Sequence, residues 1–148
     1  MINKALNVKI SKNYWACELL PPEAFELDIK AFNRLITPFI RLVPQRFREQ
    51  IGKPVMINNW WEGGQNKYGG YRTMDCAIGA KFSMHKFGVA FDPKIEGVTP
   101  QEVLEWFKKN AIAFPEITTY EKVSDTPTWN HFDGRFTGLD ALLEVPGK

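Results

Sequence analysis

Prolines set the outer limits of what this chain can build. Each one removes a backbone donor and fixes φ, so it is accepted at the first turn of a helix or the end of a strand and interrupts either elsewhere. Pro21-Pro22 forbids a helix through that point and predicts that residues 1 to 25 form an extended arm packed on the body. Between Asp28 and Gly52 the apolar residues Phe32, Leu35, Ile36, Phe39, Ile40, Val43 and Phe47 recur at intervals of three and four, which predicts one or two helices. Pro38 and Pro44 must start or break them, and Gly52 with Pro54 closes the segment. At Pro100 the same ring favours a helix: Thr99-Pro100-Gln101-Glu102 is a capping box with proline at the first helical position. Val103, Leu104, Phe107 and Ala111 then mark one apolar face.

The remaining segments read as short strands. Val55 to Trp60 is expected to be a buried strand, followed by a glycine-rich loop from Gly63 to Gly70 where a substrate could be met. Trp60 and its neighbour Trp61 point to opposite sides, so one of them faces the core. Phe87 to Phe91 reads as a second strand ended by Pro93, which puts Asp92 at a strand end. Ile117 to Val123 and Thr128 to Phe132 are β-prone, and Ser124-Asp125-Thr126-Pro127 between them has the composition of a hairpin loop. The tail after Phe136 shows no clear pattern. Helices followed by a small antiparallel sheet predict an α+β class, with the sheet flanked by helices and carrying both histidines.

Length and charge narrow the function. A chain of 148 residues with 44% hydrophobic and 24% charged residues is expected to form a single globular domain spanning residues 1 to 148. A net charge of +2 with interspersed signs lacks the dense basic stripe of a nucleic-acid binder. No apolar stretch approaches the ~20 residues of a membrane span, and residues 1 to 9 lack the features of an export signal. A cytoplasmic product, or a phage-encoded one released by other means, is therefore expected. Cys17 and Cys76 are expected to be reduced thiols.

The chain has two histidines, His85 and His131. A catalytic zinc site uses three protein ligands and keeps one open position, and His85, Asp92 and His131 are the natural candidates. Two neutral imidazoles and one carboxylate leave a zinc site with net charge +1, which acidifies a bound water toward a pKa of about 7 and polarises a carbonyl.

The run containing Ser83, His85, Gly88, Ala90 and Asp92 resembles the zinc-binding motif of the D-alanyl-D-alanine carboxypeptidase, vancomycin-resistance D,D-dipeptidase and L-alanyl-D-glutamate endopeptidase family. That family shares its fold with the hedgehog signalling domain. The resemblance extends from about residue 54 to 135, through Gly70-Tyr71-Arg72 upstream and Trp129-Asn130-His131-Phe132-Asp133 downstream. It implies zinc held by His85, Asp92 and His131, with Arg72 holding a substrate carboxylate or the oxyanion through its fork of donors. The alternative for Arg72 is a surface salt bridge. Ser83 either contacts substrate or caps the turn before His85. The implied substrate is a peptide of bacterial peptidoglycan, hydrolysed by a metal-activated water.

One position departs from the resemblance. The family's proton-transferring carboxylate commonly stands three residues before the last histidine, where this chain has Thr128, and a hydroxyl cannot serve as that base. Hairpin geometry offers a substitute. A loop centred on Thr126 places Glu121 directly opposite His131 on the same face, about 5 Å away between Cβ atoms. Asp133 shares His131's face two residues on, as base or as the partner that orients His131. Asp125, in the loop, comes third. Thr128 also keeps two other readings open: a metal-binding domain of this fold that is catalytically idle, and a phage structural component. The cleaved bond, exo- or endopeptidase action and the oligomeric state have no signature in these residues.

Overall fold

The computed structural model describes residues 1–147. Its first helix, α1 (Ala16–Leu19), stops before Pro21-Pro22, and Pro22 starts a 3-10 turn over Pro22–Glu26. Residues 1 to 25 are therefore not an extended arm. Leu6, Ala16, Cys17, Leu20, Ala24 and Phe25 are buried against Phe32 and Tyr71, with Trp60 and Trp61 packed on them. The prolines limit α1 as expected, and the segment packs on the body as expected too, Tyr14 and Leu19 being fully buried in the main core with Phe39, Ile40 and Val43; only its extended form is replaced by short turns of helix.

Two helices follow. Asp28 caps α2 (Ile29–Leu35) by accepting the Lys30 and Ala31 amides at 2.8 and 3.0 Å. Thr37 caps α3 (Pro38–Ile51), with Pro38 at the first position and Gly52 ending it at φ 70°. Pro44 neither starts nor breaks α3; it lies inside it. An internal proline costs about 3 kcal/mol, and Ile40, Val43 and Phe47, all fully buried around it, offset that by keeping the helix on the core.

The expected strand Val55–Trp60 is reduced to one antiparallel bridge, Met56 with Lys94. Its polar groups find scattered partners instead of one neighbouring strand: Tyr14 Oη donates to the Val55 carbonyl at 2.7 Å, Asn58 N to Glu18 O at 3.0 Å and Asn59 N to Asn66 O at 2.8 Å. The segment Met84–Phe87 is a 3-10 turn, so the next strand, β1, is only Ala90–Phe91. The capping box predicted at Thr99 and Glu102 is present and opens α4 (Pro100–Asn110), which buries Val103, Leu104 and Phe107.

Strands β2 (Thr119–Glu121), β3 (Phe132–Asp133) and β4 (Leu143–Val145) complete a sheet of order β1-β3-β2-β4. The β1–β3 and β2–β3 pairs are antiparallel, whereas β2 and β4 are parallel. The sheet is thus mixed, and the unpatterned tail supplies its edge strand. The α+β class holds. Phe47 ties α3 to the sheet and α4, its ring 5.4 Å from Phe91, 5.6 Å from Phe132 and 5.1 Å from Trp106. Each such buried aromatic contributes about 1.5–3 kcal/mol. Among the described residues no helix is long and apolar enough to cross a membrane.

Candidate metal centre

The two ladders around β3 assemble the site. Phe91 pairs with Phe132 and Ala90 with Asp133, so the next residues outward, Asp92 and His131, face each other. On the other side Thr119 pairs with Asp133 and Tyr120 with Phe132. Glu121 N then donates to His131 O at 3.1 Å, the register expected from a loop centred on Thr126. His131 therefore lies between Asp92 and Glu121, one carboxylate from each neighbouring strand.

His85 enters from the turn before β1. Gly88 ends that turn at φ 68°, a conformation that favours glycine, and its carbonyl accepts Thr37 Oγ1 at 2.6 Å. The cap of α3 thus holds the turn in place. Upstream, Gly69 O accepts the Asp92 amide at 2.7 Å, and Gly70 O accepts His85 Nδ1 at 2.6 Å. The expected role of the glycine loop as a substrate-facing element changes accordingly, since its last two residues are buried and support His85 and Asp92 from behind.

His85 Nε2, His131 Nδ1 and Asp92 Oδ1 converge. They are 3.1 Å apart between the rings, 3.1 Å from His85 to Asp92 and 2.9 Å from His131 to Asp92. All three residues are buried, and among the described residues they form the one group of three His, Cys, Asp or Glu side chains suited to hold a metal ion. The outer nitrogens are committed elsewhere. His85 Nδ1 donates to the Gly70 carbonyl, and His131 Nε2 donates to Asp133 Oδ2 at 2.7 Å. Those bonds turn the remaining ring nitrogens inward, toward the Asp92 carboxylate. Three acceptors this close repel unless they share a cation, which is the donor set a metal ion needs.

Electrostatics follow the same geometry. Burial pushes His85 down, against the pull of Asp92. For His131 burial acts downward too, but its bonds to Asp133 and Asp92 outweigh it and raise the ring to about 10. Without a metal, a proton on His131 therefore supplies the shared positive charge. Burial alone would raise Asp92, yet the two rings hold its carboxyl below the usual carboxylate range. Asp133 is pulled down to about 2 against its burial, because Arg135 and His131 both donate to it. Arg135 grips it with Nε at 2.9 Å and Nη2 at 2.6 Å.

A cleft of about 610 Å³ opens onto the cluster, lined by Arg72, Ser83, His85, Asp92, Glu121 and His131 among others. Arg72 is not a surface ion pair. Its Nε donates to Tyr68 O at 2.7 Å, Nη1 to Ile78 O at 3.4 Å and Nη2 to Asp92 Oδ2 at 3.4 Å, so the guanidinium stands beside the ligands. Ser83 makes no side-chain cap and sits on the cleft wall.

The two candidate bases differ in place. Glu121 Oε1 reaches to 3.9 Å from His131 Nδ1 and faces the cleft. Burial and the neighbouring Asp92 and Asp133 raise its pKa against the pull of His131. Asp133 is fully buried behind His131, away from the cleft wall, with its oxygens engaged by His131 and Arg135. It is an orienting partner and not a base within reach of substrate. Asp125 lies exposed in the 3-10 turn Val123–Asp125, bonded to Gly147, and Thr128 is exposed outside the cleft.

Several lining residues carry no motif in the sequence. Ile78, Gly79, Ala80 and Phe82 form one wall, while Val145 and Pro146 reach the cleft through β4. Arg135 alone had a readable signal, since it follows His131 and Asp133 at steps of two. No family model, curated protein or solved structure matches this chain.

Proposed function

We propose that this chain is a zinc-dependent peptidase of the hedgehog/DD-peptidase fold that hydrolyses peptide bonds of bacterial peptidoglycan. The observation that carries the reading is the carboxylate of Glu121 on the cleft wall 3.9 Å from His131, beside the buried His85–Asp92–His131 cluster. Together with the motif from Ser83 to Asp92, this supplies a ligand set and a base that Thr128 cannot provide.

His85 Nε2, His131 Nδ1 and Asp92 would hold the zinc ion, whose chemistry there is to polarise the scissile carbonyl and acidify water. Glu121, its pKa raised by burial, accepts the proton of the attacking water and hands it to the leaving amine. Arg72, held beside Asp92 by the Tyr68 and Ile78 carbonyls, holds a substrate carboxylate or the negative charge developing on the carbonyl oxygen. Ser83 offers a hydroxyl to the bound peptide. Asp133, locked by Arg135, keeps His131 in the tautomer that presents Nδ1.

The test is incubation of the zinc-loaded protein with muropeptides, scored by new amino groups. Cleavage is expected, and Glu121→Gln should reduce it by about 10²–10⁴-fold. No amine release at any zinc loading would sink the proposal. A second reading, an idle metal-holding domain, is favoured by the exposed placement of Thr128 outside the cleft. Zinc binding with no hydrolysis of any muropeptide is its signature.

A further inference from the structure

Trp129 lines two cavities. One is the cleft at the His85–Asp92–His131 cluster; the other, of about 310 Å³, is lined by residues of the Met56–Lys94 bridge and the start of α4. That second cavity is large enough for a small polar group carried on an aliphatic chain. Its polar equipment is specific. Lys94 is held at its backbone by paired bonds with Met56 at 2.8 and 2.9 Å. Its Nζ lies 6.0 Å from the centre of the Trp129 ring, with no carboxylate within 4.0 Å among the described residues.

Asn130 is 4% exposed and its Nδ2 donates to Pro100 O at 2.9 Å. That bond fixes the amide so that Oδ1 is left as an acceptor without a protein donor among the described residues. Thr128 and the carboxylate of Glu96 complete the polar lining, and the rest is apolar, including Ile95, Val98 and Val103.

We infer that this cavity is a subsite for a zwitterionic α-amino-acid group at the end of a substrate side chain. Lys94 and the Thr128 hydroxyl meet its carboxylate, Glu96 and Asn130 Oδ1 meet its ammonium, and the connecting methylenes lie on Trp129, the residue that lines both cavities. Glu96 is exposed at the rim and Lys94 is half-buried beside Trp129, so a carboxylate and an ammonium on one carbon engage both charges, which a ligand of single charge does not. The inference rests on the peptidase reading for the peptide in the cleft, but the cavity's own binding can be measured separately.

Two muropeptides identical except at one side chain discriminate. One ends in a carboxylate and an ammonium on the same carbon, as in a diaminopimelate residue; the other ends in the ammonium alone, as in lysine. The zinc-loaded protein should show a KM about ten-fold lower for the first, the effect of one charge-assisted contact. Lys94→Met should bring the KM ratio close to one, and Lys94→Arg should keep most of it. Equal KM values in the unaltered protein, or a ratio unchanged in Lys94→Met, overturn the subsite.

If neither peptide is cleaved, the peptidase reading fails and the subsite is decided by binding. Titrating ¹⁵N-labelled protein with 2,6-diaminopimelate and with lysine should shift the Trp129 indole signal saturably for the first, and Lys94→Met should abolish that shift. No diaminopimelate-dependent shift at Trp129, or the same shift in Lys94→Met, overturns it.

Discussion

His131 and Asp92 face each other one step beyond the Phe91–Phe132 pair, with Nδ1 and Oδ1 2.9 Å apart. Strand register, set by buried aromatic side chains, therefore brings these two candidate ligands together. Slipping β3 by one residue would turn His131 to the opposite face. The ligand geometry is thus coupled to the same core that stabilises the sheet.

Metal binding should appear as stability. If only the folded chain presents the three ligands, free zinc at one hundred times its Kd adds about 2.7 kcal/mol, or about 5–10 °C in Tm for a chain of this size. Differential scanning fluorimetry with and without chelator measures it. His85→Ala and His131→Ala should each lose the zinc-dependent increment, and a chelator that leaves Tm unchanged in the unaltered protein argues against a bound ion.

Asp133 holds His131 by its outer nitrogen at 2.7 Å. Asp133→Asn keeps the shape, removes the charge and should weaken zinc about 10–100-fold. Competition with a chromophoric chelator gives the affinity, and circular dichroism checks that the fold persists. An unchanged affinity would mean that the ring is oriented by packing alone.

Gly70 links the N-terminal layer to the His85–Asp92–His131 cluster. A Cβ there would collide with the Leu19 carbonyl, which accepts the Tyr71 amide at 2.9 Å, while the Gly70 carbonyl accepts His85 Nδ1. Gly70→Ala should cost about 1–3 kcal/mol in urea unfolding and lower zinc affinity in parallel. A loss of stability with unchanged affinity would separate the two roles.

Burial pushes the Cys17 thiol up to about 11, although a bond from Asn7 acts the other way. Cys76 is only half-buried. At pH 8 iodoacetamide should therefore label the native chain once, at Cys76, and twice after unfolding, as read by mass spectrometry. The folded state keeps the Cys17 proton longer than the unfolded state, whose thiol has the ordinary value of 9.0. Its contribution to stability is then complete below about pH 9 and falls as pH rises toward 11. Cys17→Ala should flatten that part of the stability curve.

Local signals in the sequence were enough for three things. The capping box at Thr99 and Glu102 specified α4, because every group that forms it lies within four residues. The hairpin loop around Thr126 specified the register that sets Glu121 beside His131, because pairing in a short hairpin follows from counting outward from the turn. His85, Gly88 and Asp92 were legible as a spaced motif. Tertiary structure decided the rest. Residues 1 to 25 became a packed layer because Leu20 and Phe25 found Phe32 and Tyr71 across the chain. The tail became β4 because Thr119–Glu121 offered a free edge to Leu143–Val145. Asp133 became an orienting partner when Arg135 and His131 took its oxygens. Strands of two or three residues are too short to show a period, and contacts across long sequence separations form only where the folded chain closes the intervening loops.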